Sequence, residues 1–143
     1  MTESNVKGAA LITGANIGSV VALQPGRIGA VCSASKAYVV NLSQALEAEL
    51  APLGVRVQIV LPGATRTKIW GRAGVDADQL PPEIVMGAEE MVDAALAGFD
   101  QGEAVAIPAL PNIEDWRDFG PARLATTPHL SRNHAAGRYQ TAA

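Results

Sequence analysis

Three features of the sequence predict an α/β layered fold built on a small parallel sheet. Apolar runs of strand length occur at 9–13, 55–61 and 104–107, the stretches between them carry helical periodicity, and glycine or proline punctuates the junctions. The order strand, helix, strand, helix, strand requires parallel strands joined by right-handed crossovers, with helices layered on the sheet.

Ala9-Ala10-Leu11-Ile12-Thr13, bounded by Gly8 and Gly14, suits a strand buried on both faces of a parallel sheet. Gly14 to Gly29, which includes Pro25-Gly26, reads as the loop at that strand's carboxyl end. The longest helix is expected from Val31 or Cys32 to Leu53. Its apolar face is Ala34, Tyr38, Leu42, Ala45 and Leu46 at three- and four-residue intervals, with Gln44, Glu47 and Glu49 on another. Gly54 supplies its stop. Val55-Arg56-Val57-Gln58-Ile59-Val60-Leu61 begins with strand alternation, turns fully apolar, and ends at Pro62-Gly63. Residues 64–87 contain Gly71, Gly74, Pro81 and Pro82 and read as a mobile, lid-like segment with one helical turn near Lys68 to Arg72. Glu89 and Glu90 suit the amino end of a helix over Ala88 to Phe99, whose apolar side is Val92, Ala95, Leu96 and Phe99. Ala104-Val105-Ala106-Ile107 is the third strand, and Ile113 to Leu124 forms a short helix in the tail.

At 143 residues with 48% hydrophobic content, the chain is read as one domain, 1–143, with the tail 112–143 packed on the core or on a partner subunit. Three strands leave apolar edge and face surface exposed, so a homo-oligomer is expected. A net charge of -3 supplies no broad positive field, which argues against nucleic acid or an anionic membrane surface as partner. No apolar run approaches the roughly 20 residues of a membrane span, and Met1 to Lys7 lacks the pattern of a secretion signal. A cytoplasmic location follows as an expectation. One cysteine makes no internal disulfide, and His129 and His134 form no recognisable metal-ligand cluster.

The most informative spacing is Ser19, Cys32 and Lys36, set in Asn16-Ile17-Gly18-Ser19-Val20-Val21 and Ala30-Val31-Cys32-Ser33-Ala34-Ser35-Lys36-Ala37. These runs resemble the catalytic segment of the short-chain dehydrogenase/reductase family, in a shortened form. The resemblance implies a truncated Rossmann-like three-layer domain and descent from NAD(P)-dependent enzymes that move hydride between an alcohol and a carbonyl. By position, Ser19 would polarise the substrate oxygen, Lys36 would hold the cofactor ribose and lower a tyrosine pKa, and Cys32 stands where the family has its tyrosine proton donor. Pro62-Gly63 followed by Thr65 and Thr67 resembles the segment lying along the nicotinamide, with Thr67 the closest match to the family's cofactor-contacting threonine. The implied cofactor is NAD or NADP, and the implied substrate a small carbonyl or alcohol.

Lys7 to Ala15 resembles the family's first strand and the opening of its dinucleotide loop. Gly14 and Gly18 fit that loop, but Val20 holds the third glycine position, and no sequence remains for the helix that would receive the pyrophosphate. The chain therefore reads as internally shortened, with hydride transfer impaired or absent; the alternative is a non-catalytic, self-associating interaction domain. Cys32 reads first as a small buried hydrophobe or a tolerated substitution, with a helix-end thiolate activated by Lys36 as the sharper possibility. Tyr38 projects about 200° around the helix from Lys36 and does not replace the missing acid. Trp116 and Phe119 either wall a substrate site across a subunit boundary or anchor the tail.

Overall fold

The computed structural model describes residues 8–12, 18–26, 29–68, 70 and 79–139. Its elements run β1 (Gly8–Ile12), α1 (Ala30–Leu50), β2 (Val55–Val60), β3 (Ala64–Thr65), β4 (Val85–Met86), α2 (Ala88–Asp100), β5 (Val105–Ala106) and α3 (Ile113–Leu124). The chain divides into two units, Met1–Ala109 and Leu110–Ala143.

β2 is the strand on which the first unit is assembled. It pairs in parallel with β1, from Gly8 opposite Val55 to Ile12 opposite Ile59. On its other side Ile59 and Val60 pair in parallel with Val105 and Ala106 of β5. The sheet order is β1-β2-β5, so its strands follow chain order in one direction. Strand alternation sends Val60 toward α2, where it packs with Ala95, Ala106 and Met91. Arg56, on the same face, donates from Nη1 to the Phe99 carbonyl at 3.0 Å and lies over the Phe99 ring. Val57 and Ile59 alternate to the opposite face, and α1 packs extensively on β2. Helix, sheet and helix make the three layers the sequence predicts.

α1 departs from the expected burial. Its buried stripe is Ser33, Lys36, Val40 and Ser43, whereas Tyr38 is 68% and Leu42 41% exposed, and Ala34 and Ala45 are exposed too. Hydroxyls account for the reversal. Ser33 donates to the Val21 carbonyl and Ser43 to the Val39 carbonyl, so small polar side chains enter the layer with their hydrogen bonds made. The helix ends where expected: Ala51–Leu53 tightens into a 3-10 turn and Gly54, at φ 75°, takes the left-handed conformation that stops it.

Glu47 completes the strand it faces. Ile59 and Leu61 direct their N–H groups to Ala104 and Ala106, so the alternate Val57 N–H points to the same side, ahead of where β5 begins. The Glu47 carboxylate accepts that N–H instead. α2 is likewise shifted from expectation. Ala95 and Gly98 are its buried residues, while Val92 and Leu96 are exposed, because its smallest residues allow the closest approach to the sheet.

The segment read as lid-like is tied at both ends, since β3 and β4 pair in parallel and Arg66 N–H donates to the Met86 carbonyl at 2.9 Å. Of the helical turn expected near Lys68 to Arg72, Trp70 is helical; Ile69, Gly71 and Arg72 lie outside the described residues, as does Gly74. In the second unit α3 spans the expected range, capped by the Asn112 side chain on the Glu114 N–H. Trp116 and Phe119 stack on each other with centroids 5.6 Å apart.

Two stability changes follow. Glu47→Ala strands the Val57 N–H and lowers unfolding free energy by about 1–3 kcal/mol, measured by urea titration. Gln58 is fully buried, with neither amide atom hydrogen-bonded among the described residues. Gln58→Met therefore raises the urea midpoint; an unchanged or lower midpoint contradicts this account of its burial.

Candidate active site

Gly18 positions the site. It is buried so close to the end of β2 that a Cβ there would overlap the Val60 carbonyl oxygen, so only glycine fits. This close approach lets the Val20 N–H donate to the Pro62 carbonyl at 3.1 Å and brings the Ser19 hydroxyl to 3.5 Å from the same oxygen. Ser19, in the segment read as a loop, caps the 3-10 turn Val20–Leu23 from an extended conformation, its Oγ accepting the Val21 N–H at 3.2 Å.

A third segment joins through Ser33, which donates to the Val21 carbonyl at 3.1 Å. Hydrogen bonds thereby gather the Ser19 turn, the Pro62-Gly63 loop and the first turns of α1. Ser33 was not singled out by the sequence reading. Its signal was available in the spacing Ser33, Lys36, Val40, Ser43, a three- and four-residue rhythm of mostly small or polar residues that an apolar pattern search passes over.

Lys36 is 9% exposed, on the buried stripe. Cys32, one turn earlier, is an exposed free thiol, and Ser35 donates to its backbone carbonyl at 2.9 Å. The buried-hydrophobe reading of Cys32 is thus corrected. Position 32 lies about 100° around the helix from Ser33, enough to turn its side chain out of the layer. Thr65 is buried, its hydroxyl donating to the Gly63 carbonyl at 3.3 Å and its carbonyl accepting Trp70 Nε1 at 2.7 Å. Thr67 is exposed. The structure therefore offers a serine hydroxyl near a carbonyl-lined loop, with Lys36 on the buried stripe of α1 and an exposed thiol at Cys32.

The glycine-loop reading meets a different geometry. Gly14 lies outside the described residues. Gly18 serves the contact with β2, and the N–H groups of Val20 and Val21 already have protein acceptors. Among the described residues there is no group of side chains fit to hold a metal ion, and no helix is long and apolar enough to cross a membrane.

A family model for short chain dehydrogenases matches residues 9–77. A short-chain dehydrogenase from Sphingobium yanoikuyae, solved in complex with NADPH, superimposes with a TM-score of 0.83 at 46% identity, covering 92% of this chain and 49% of that one. The bulky-bulky ketone specific alcohol dehydrogenase from Comamonas testosteroni gives a TM-score of 0.75 at 41% identity, covering 93% of this chain and 47% of that one. An uncharacterised short-chain type dehydrogenase/reductase of Sinorhizobium fredii is 37% identical over 95 residues, 59% of this chain and 17% of the relative. The chain spans about half the length of these solved structures.

The exposure of Cys32 has a direct readout. Native protein takes up one equivalent of a thiol reagent without denaturant; labelling only after unfolding contradicts the placement of this side chain.

Proposed function

This chain belongs to the short-chain dehydrogenase/reductase family, and we propose from that premise that it is an NAD(P)-dependent oxidoreductase by descent whose hydride transfer is impaired or lost in the chain as it stands. The observation that carries this reading is the sheet order β1-β2-β5. In open α/β sheets a dinucleotide binds in the crevice where strand order reverses, its pyrophosphate on a helix amino terminus after a glycine-rich turn. Among the described residues the sheet proceeds in one direction and makes no such crevice.

The two ends of a dinucleotide fare differently here. Lys36, Pro62, Gly63, Thr65 and Thr67 suit the nicotinamide end, with Lys36 held by α1 and the loop fixed by its bonds to Gly18-Ser19-Val20. Bound nicotinamide would supply hydride chemistry with a carbonyl or alcohol. Among the described residues nothing equivalent serves the adenosine end, since the backbone donors at Val20 and Val21 are satisfied internally. Proton transfer is weakened as well. Cys32 stands at the donor position, and its side chain is shorter than a tyrosine's by most of an aromatic ring. Loss of a positioned general acid commonly costs about 100- to 10,000-fold in rate. The binding defect dominates, because a rate factor has no meaning without bound cofactor. The lone reduced thiol fits a cytoplasmic location.

One observation favours a second reading, a self-associating interaction domain. Every exposed residue of α1 before Glu49 is uncharged, and Val31, Tyr38 and Leu42 stand out among them. A helix whose fully exposed positions before Glu49 are all uncharged is a surface suited to a protein partner.

Calorimetric titration with NADPH and NADH tests the first reading. The expected dissociation constants are millimolar or weaker, alcohols and ketones are not turned over, and Cys32→Tyr restores no activity. Micromolar binding, or turnover by the purified chain, overturns it.

A further inference from the structure

Charge is sorted along this sequence. Between Ala73 and Trp116 every charged residue is acidic, whereas from Phe119 to Ala143 every charged residue is basic, Arg123, Arg132 and Arg138, with His129 and His134 among them. The acidic block includes α2 and its flanks, and most of the basic block follows α3.

α2 displays the acidic block as a face. Glu89, Val92, Asp93, Leu96 and Asp100 are exposed at three- and four-residue steps, which sets them along one side of the helix, opposite the buried Ala95 and Gly98. Val92 is 46% and Leu96 47% exposed, one turn apart, and no lysine or arginine stands on the helix. The face is therefore an apolar pair edged by carboxylates.

The basic block is open as well. Pro121 to Tyr139 is exposed at every position, Leu130 at 75% and Tyr139 at 68%. Short turns give the segment shape, with the Leu130 N–H donating to the Thr127 carbonyl at 3.3 Å and the Tyr139 N–H to the Ala136 carbonyl at 2.9 Å. It presents apolar side chains between arginines, the complement of an apolar pair edged by carboxylates.

We propose that the segment Arg123–Tyr139 of a second copy of this chain docks on the exposed side of α2, its arginines against Glu89, Asp93 and Asp100 and its apolar side chains on Val92 and Leu96. This inference rests on the self-association reading and gives it a surface other than α1.

The charges select the occupant. α2 against α2 sets carboxylate against carboxylate, and tail against tail sets arginine against arginine, so like surfaces repel. One sequence nevertheless carries both complementary surfaces, each open to solvent. A two-fold exchange, in which every copy gives its segment and receives another's, fills both faces and closes at two chains.

Charge reversal with mixing tests the exchange. Sedimentation velocity of the purified chain should show a concentration-dependent dimer. Its dissociation constant should rise about tenfold or more between about 0.1 M and about 1 M sodium chloride, as the screening length falls from about 10 Å to about 3 Å. Glu89→Lys with Asp93→Lys reverses the α2 face, and Arg132→Glu with Arg138→Glu reverses the segment. All four positions are exposed, so circular dichroism should be unchanged. Each variant alone should be monomeric, and an equimolar mixture of the two should restore the dimer, because the basic face of one accepts the acidic segment of the other while the remaining pair is unaltered. A contact made within a single chain gains nothing from mixing. A wild-type monomer at all concentrations overturns both this proposal and the self-association reading. Variants that dimerise as the wild type does, or that stay monomeric when mixed, overturn the docking on α2 alone. Should a reversed variant fail to fold, salt decides, and a dimer insensitive to sodium chloride overturns the proposal.

Discussion

The contact between Gly18 and the Val60 carbonyl is the constraint on which the site depends. No side chain fits at position 18, and because none is there the Ser19 turn can lie against the end of β2. From that approach come the Val20 N–H bond to Pro62, the placement of the Ser19 hydroxyl, and the reach of Ser33 to Val21. The three segments are fastened mainly through backbone groups and hydroxyls. Such bonds set position closely while adding only about 0.5–1.5 kcal/mol each to stability. Side-chain identity at position 32 is thereby freed from the fold. Cys32 points outward and contributes its backbone, not its thiol, to the structure.

The layers need helix, sheet and helix, a glycine at 18 and hydroxyls at 33 and 43. They do not need a tyrosine at 32. The sheet itself imposes the other limit. Among the described residues the strands of the larger sheet follow chain order in one direction.

Much of the fold was legible in the sequence. The runs at 55–61 and 104–107, the stop at Gly54 and the range Ile113 to Leu124 announced their elements through periodicity and punctuation, which act locally. Burial was less legible. Tyr38 and Leu42 sit at the spacing of a core face yet are exposed, while Ser33, Lys36 and Ser43 are buried. Apolar periodicity marks a face that avoids water, and that face can equally be an interface or a core. Which of the two it becomes depends on hydroxyl partners such as the Val21 and Val39 carbonyls, one of which lies on another segment. Ser19 and Pro62, singled out by resemblance, are joined by a hydrogen bond in the structure, but the exposure of Cys32 required the helix phase. The pairing of Ala64-Thr65 with Val85-Met86 joins residues about twenty apart through two-residue strands, too short to carry a pattern of their own.

The central claim is that the nicotinamide-side framework stands without the crevice that anchors the rest of a dinucleotide. A crystal structure of the purified chain grown with NADPH tests it most directly. The account predicts no ordered dinucleotide along the carboxyl ends of β1 and β2. A nicotinamide ring seated beside Lys36, with its pyrophosphate held by the backbone at 18–21 of the same chain, would contradict it.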